Sequence, residues 1–140
     1  MTPNVLIDTD VMLDVFLDRA PHNGPSKMVM ALLEQKCFHG HITATIVVNI
    51  YFHVRKHLGK ENAIQCVQDL LNTKEIEIHA IDRNALTTAI NSAMTDFEDA
   101  VQASVATVAG IDFIVTRNKR DFRQSPVPAV LPEELLEKLI

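Results

Sequence analysis

The sequence predicts an α/β fold in which a mostly parallel sheet of four to five strands is covered by helices on both faces. Three observations carry that prediction. Short apolar runs of strand length alternate with longer stretches of helical periodicity along the chain, which calls for crossover connections between parallel strands. The first run, Val5, Leu6 and Ile7, is apolar without alternation, as in a strand buried on both faces. Helix-capping residues then punctuate the chain at Gly59, Asp82, Asp96, Gly110 and Pro132. With 140 residues and no visible repeat or long polar linker, the chain reads as a single domain over 1–140.

Taken in order, residues 4–7 form the first strand and end in Asp8, and a helix follows with Val11, Leu13, Val15, Phe16 and Leu17. Pro21 and Gly24 mark residues 19–24 as a loop. Pro25 suits the first turn of the next helix, which runs to about Lys36 with Met28, Ala31 and Leu32 facing inward. A second strand is expected at 41–44, a helix at 45–58 closed by Gly59, and another helix at 62–71. Glu75 to Ile81 alternates polar and apolar residues, which predicts a half-exposed strand near a sheet edge. Asp82 caps a helix over 84–93. Asp96 caps the next, whose Ala100, Val101, Ser104, Val105 and Val108 recur at helical spacing up to Gly110. A strand at 113–116, a short fifth at 126–131 and a helix from Pro132 to Leu139 complete the order.

Composition excludes several classes. A chain that is 47% hydrophobic and 22% charged with only four Gly is neither disordered nor low in complexity. The longest stretch free of Asp, Glu, Lys and Arg, 37–54, contains Gly40, Asn49 and three histidines, so it is not expected to span a membrane. The first residues lack the basic start and long apolar centre of a signal peptide, and the chain is expected in the cytoplasm. Cys37 and Cys66 show no metal-finger spacing and read as reduced, buried thiols. The formal charge of −5 would repel a nucleic-acid backbone if it were spread evenly, so its distribution matters more than its total.

Acids fall where the predicted architecture would bring them together. Asp8 and Asp10 follow the first strand, Asp96 to Asp99 begin a helix, and Asp121 follows the 113–116 strand. In open parallel sheets, ligands gather beyond the carboxyl ends of the strands. Converging carboxylates repel one another, and a shared divalent cation keeps them ionised. Hard oxygen donors suit Mg²⁺ or Mn²⁺, and such ions activate water and neutralise charge on a phosphodiester. Each acid also has an ordinary structural use: Asp8 as a turn or cap residue, Asp96 as an N-cap, and Asp99 as a first-turn acid favoured by the helix dipole. Asp10 stands two residues beyond Asp8 and points elsewhere in that reading, while Asp14 and Asp18 are expected to be solvated.

Asp8-Thr9-Asp10-Val11, Asp96-Phe97-Glu98-Asp99-Ala100 and Val115-Thr116-Arg117-Asn118-Lys119-Arg120-Asp121-Phe122 resemble the PIN domain in order and separation. The resemblance spans nearly the whole chain, and the last two motifs are the specific ones. It implies a parallel three-layer α/β/α sandwich with a metal-dependent ribonuclease site, as in VapC-type toxins, and with them an RNA substrate, an antitoxin partner and a homodimer. Asp8 and Asp99 match the first and third family acids. Asn118 and Asp121 compete for the fourth. At the second acid's position, on the helix after strand two, this sequence has Asn49, a neutral amide that ligates without adding charge or else simply satisfies a backbone group. Asp8, Asp99 and Asp121 are therefore the expected catalytic residues and metal ligands, with Asn118 and Asn49 as further ligands and Thr9, Asp10 and Asp96 as secondary candidates.

Arg55 and Lys56 crowd one helix end, while Thr116, Arg117, Lys119 and Arg120 surround the last acidic motif, so single-stranded RNA would meet a positive rim around an acidic centre. Two histidine pairs, His53 with His57 and His39 with His41, lack a third ligand at recognised zinc spacing and read as surface or edge residues. Two rival readings stand beside the nuclease. Asn49 suits a PIN-like module that has lost strong metal binding and binds RNA or protein instead. The Asp8-Thr9-Asp10 motif also resembles that of haloacid-dehalogenase-type phosphatases, where Asp8 would be the nucleophile, although the acidic pair that family places after a late glycine is missing beyond Gly110.

Overall fold

A computed structural model describes residues 2–140. Its five strands, β1 (Asn4–Ile7), β2 (His39–Thr43), β3 (Ile76–His79), β4 (Phe113–Val115) and β5 (Ala129–Val130), are all parallel and lie in the order β3-β2-β1-β4-β5. Between and after them run α1 (Thr9–Phe16), α2 (Asn23–Glu34), α3 (Ala44–Leu58), α4 (Lys60–Leu71), α5 (Arg83–Ile90), α6 (Phe97–Val108) and α7 (Pro132–Leu139). The fold is the expected three-layer α/β/α sandwich.

Alternation along β2 shows how the layers are assigned. A Cβ on Gly40 would point at Leu33 of α2, whereas Thr43 donates its hydroxyl hydrogen to Gln102 Oε1 of α6 over 2.7 Å. One layer accordingly holds α1, α2, α3, α4 and α7 in mutual contact, and α5 packs on α6 across the sheet. The central strands are fully buried through Val5, Leu6, Ile7, Ile42, Ile114 and Val115, which anchors the main core. A smaller cluster of Ala89, Ala100 and Val101 seals α5 against α6.

Most boundaries follow the local chemistry read from sequence. Thr43, Asp82 and Asp96 cap α3, α5 and α6 by accepting backbone hydrogen bonds from Ile46, Ala85 and Asp99. Gly59, at φ +90°, ends α3 in a backbone region that L side chains rarely adopt. Pro132 opens α7, and β3 lies at the expected edge.

Several boundaries differ: β2 starts at His39 and α4 at Lys60, each two residues earlier than expected, and β3 is trimmed to Ile76–His79. Helix α2 begins at Asn23, two residues before Pro25, because proline is tolerated anywhere in a first turn that needs no N–H from it. Helix α5 stops at Ile90 rather than Ala93, where Asn91 Nδ2 bonds Thr87 O at 3.0 Å and Ser92 N bonds Ala89 O at 3.1 Å. The fifth strand is only two residues long. Cys37 and Cys66 are free thiols, as expected, but half-buried rather than buried.

The close approach at Gly40 yields a stability prediction. A methyl there would sit 2.7 Å from Leu33 Cδ1 and 3.2 Å from the Glu75 carbonyl oxygen, and the carbonyl is held by the sheet. Gly40→Ala should destabilise the fold by about 1–3 kcal/mol in urea unfolding; an unchanged midpoint would contradict this packing.

Candidate active site

Strand order reverses between β1 and β4, and there the connections leave a crevice beyond the strands' carboxyl ends. Asp8 leaves β1 and Thr116 leaves β4 side by side: Asp8 N donates to Val115 O at 3.0 Å, continuing the ladder one residue past β1. Asp8 is also the N-cap of α1, and its Oδ1 accepts from Thr9 N at 2.8 Å. Its Oδ2 accepts from the Thr116 hydroxyl at 2.8 Å. That same hydroxyl oxygen accepts from Asn118 N at 3.0 Å, so Thr116 shapes the turn after β4 while orienting the acid of β1.

Asp10 joins the same knot. Its Oδ2 accepts from Arg117 N at 3.1 Å and lies 3.4 Å from the Thr116 hydroxyl, while its buried Oδ1 has no hydrogen-bond partner. An unpartnered buried carboxylate oxygen is costly, and burial pushes the Asp10 pKa up. From the other side of the crevice, α6 presents Asp99 in its first turn, above its cap Asp96.

Electrostatics tie these acids into one group. Burial first, and then the charge of Asp10, push the Asp8 pKa up to about 7, against the pull of the Thr116 and Thr9 hydrogen bonds. Asp99 is likewise pushed up to about 7 by burial and by the charges of Asp8, Asp96, Asp121 and Glu98. Asp121, in the short 3₁₀ turn Lys119–Phe122, thus acts on Asp99. Asn118 enters the group through its backbone N–H to Thr116.

Asn49 has a partner that sequence reasoning missed. Its Nδ2 donates to Glu98 Oε1, which draws the Glu98 carboxylate across from α6 to α3. Glu98 raises the pKa of both Asp8 and Asp99, so a carboxylate is present in this region although α3 itself supplies an amide. The only signal in the sequence was that Glu98 directly precedes Asp99.

Not every expected cation faces this crevice. Arg117 Nε lies 2.7 Å from Asp14 Oδ2, and Arg19 makes a second ion pair to Asp14 at 3.0 Å. Asp14 is 0% exposed, which corrects the expectation that it is solvated: it falls three residues after Val11, on the inward stripe of α1, and two guanidinium groups make its burial tolerable. Asp18 is exposed, as expected, and pairs with Lys27. Lys119 is held by Glu134 of α7 at 2.9 Å. Arg120, Arg123, Arg55 and Lys56 are exposed. A groove of about 580 Å³, lined by Ala85, Met94, Ala103, Val108 and Pro126 among others, lies between α5 and α6 and contains none of the clustered carboxylates.

Comparison with known proteins agrees with the fold. The family model described as PIN domain matches residues 4–120. Among solved structures, the chain is similar to a toxin–antitoxin complex from Klebsiella pneumoniae, with TM-score 0.67, 16% identity, and 91% of this chain and 97% of that chain covered. It is also similar to FitAcB from Neisseria gonorrhoeae, with TM-score 0.68, 17% identity, and 92% and 98% covered. A third similar structure is Mycobacterium tuberculosis VapC20, described as a Sarcin-Ricin loop cleaving toxin, with TM-score 0.65, 13% identity, and 79% and 86% covered. No curated protein matches the chain.

The raised carboxylates set a pH dependence for the metal-free fold. A carboxylate whose folded pKa of about 7 exceeds its ordinary 3.8 binds its proton more tightly when folded; its stabilising contribution is full below about 3.8 and is lost as pH rises through about 7. In EDTA, Asp99→Asn should raise Tm at pH 8, by about 2–5 °C, and little at pH 4. A lower Tm at pH 8 would contradict the crowding of charge at Asp99.

Proposed function

This chain belongs to the PIN domain family, and from that premise we propose that it is a metal-dependent ribonuclease that hydrolyses RNA phosphodiester bonds at the carboxylates beyond β1 and β4. The observation that carries this reading is the convergence of Asp8 and Asp99 at the strand-order reversal, where burial first and neighbouring carboxylates next push both carboxyls up to about 7, a cost that a divalent cation relieves. The donor set fits Mg²⁺ or Mn²⁺, because Asp8, Asp99 and Asp121 offer hard carboxylate oxygens. Asp8, Asp99 and Asp121 would hold the ion, with Glu98 supplying the charge that Asn49 does not and Asn49 positioning it. Such an ion supplies water activation and charge neutralisation in phosphodiester hydrolysis.

The chain's own residues do the rest. Thr9 N and the Thr116 hydroxyl each bond one Asp8 oxygen, which leaves each oxygen a further lone pair for a ligand. Exposed Arg120 and Arg123 lie closest in sequence to Asp121 and serve the phosphates, as do Arg55 and Lys56 on the last turn of α3. Arg117 holds Asp14, and its backbone N–H holds Asp10, so its part is positional. Phe97, 47% exposed beside Glu98 and Asp99, offers a face on which an unpaired base stacks, which favours a single-stranded substrate.

The relatives also support a partner. Two of those named above are a toxin–antitoxin complex and FitAcB, and we read this chain as the toxin of such a pair, acting in the cytoplasm. Val108, Ile90 and Leu86 are exposed on α5 and α6, 90%, 69% and 42% respectively, and suit burial in a homodimer or under an antitoxin. Among the described residues no helix is long and apolar enough to cross a membrane. Asn49 keeps a second reading in view, a binding module with weak metal affinity, and one experiment separates the two.

Labelled single-stranded RNA incubated with Mg²⁺ or Mn²⁺ should be cut, and EDTA should stop the cutting. Asp8→Asn and Asp99→Asn should each lower the rate about 100-fold or more. Glu98→Gln should lower it about tenfold or more and weaken the metal dependence. RNA binding without cutting, in any metal, would favour the binding module. For assembly, a sizing column should report a dimer, and a monomer would exclude the homodimer.

A further inference from the structure

A second group of ligating side chains lies on the sheet, away from the carboxylates of the crevice. The β2–β3 register sets Glu77 opposite His41 and His79 opposite Thr43, so His41, Glu77 and His79 share one sheet face. His41 Nδ1 lies 2.8 Å from His79 Nε2 and 3.2 Å from Glu77 Oε2, and His79 Nε2 lies 3.4 Å from that same oxygen. We propose that these three residues form a cation site of the Zn²⁺ class that fastens the edge strand β3 to β2.

The triangle has the size of one face of a tetrahedral site. Metal–ligand bonds of about 2.0–2.1 Å place neighbouring ligand atoms about 3.3 Å apart. Ligation therefore asks for shifts of a few tenths of an ångström. A proton count points the same way. Asn4 Oδ1 accepts from His41 Nε2 at 3.0 Å, which keeps the proton on that nitrogen and leaves the Nδ1 lone pair facing the cluster. A neutral His79 brings at most one hydrogen to a space bordered by that lone pair and a carboxylate oxygen. A cation satisfies all three acceptors at once.

His41 is buried, and its Nδ1 lies within reach of both His79 and Glu77. This placement corrects the reading of His41 as a surface or edge histidine: its partners are Glu77 and His79 of β3, not His39, which is exposed. Two imidazoles and one carboxylate favour Zn²⁺, Co²⁺ or Ni²⁺ over Mg²⁺, so the two sites would take different ions. The exposed Glu77 gives an entry path, and a fourth position remains for water. Strand β3 pairs only with β2, so a bridge here secures an edge that has no partner on its other side.

The test uses the untagged full chain, stripped with EDTA and then titrated with Co²⁺ in excess Mg²⁺. The expected result is an intense visible band of low-coordinate Co²⁺ at one equivalent, displaced by Zn²⁺. His79→Gln and Glu77→Gln should lose the band and bind Co²⁺ about tenfold to a hundredfold more weakly, with unfolding in EDTA unchanged. Asp99→Asn should keep the band. A wild-type chain without the band, a band retained in His79→Gln, or one lost in Asp99→Asn would overturn the proposal.

Discussion

The hydrogen bond from the Thr116 hydroxyl to Asp8 is the contact on which the rest of the crevice depends. It joins the carboxyl ends of the two central strands at the point where strand order reverses. A hydrogen bond to a charged acceptor contributes about 1.5–3 kcal/mol, but its larger role is geometric. The same oxygen receives Asn118 N and so fixes the turn that delivers Asp121, while Asp10 and Arg117 close the knot beneath it. Through the Arg117 side chain the knot continues to the buried Asp14, which Arg19 also pairs, so the acids above rest on a second charged cluster below.

This arrangement brings together like charges that separate readily in water. Burial, and after it the charge of Asp10 on Asp8 and of Asp8 on Asp99, pushes both carboxyls up to about 7, a cost that the scaffold carries. The scaffold is the fully buried run of β1 and β4 and the capped start of α6, which cannot relax without breaking the sheet or the cap. The carboxylates are in this sense a strained element of the fold. Asn49 fits the same logic, since an amide in place of one more negative group avoids added repulsion while its donor draws Glu98 into line.

Much of this was legible from residue types alone. Asp82, Asp96 and Gly59 announce helix ends through local chemistry, and the apolar run before Asp8 announces a central strand. What stayed hidden depends on the phase of one element against another. Asp14 reads as a surface acid until the rotation of α1 turns it inward between Arg19 and Arg117. Glu98 gains meaning only when α6 is set beside α3. His41 and His79 are 38 residues apart, and nothing short of the β2–β3 register shows that they touch. Charge distribution was legible in part: Arg120 is exposed, as a rim residue should be, but the paired positions of Arg117 and Lys119 follow from tertiary contacts.

If the carboxylates at the β1–β4 reversal hold a divalent cation, as proposed, a crystal grown with Mn²⁺ and measured for anomalous scattering will show a peak bounded by Asp8 and Asp99, with Asp121 or Glu98 completing the shell. Saturating Mn²⁺ with no peak at Asp8, or with density only at acids outside this crevice, would contradict it.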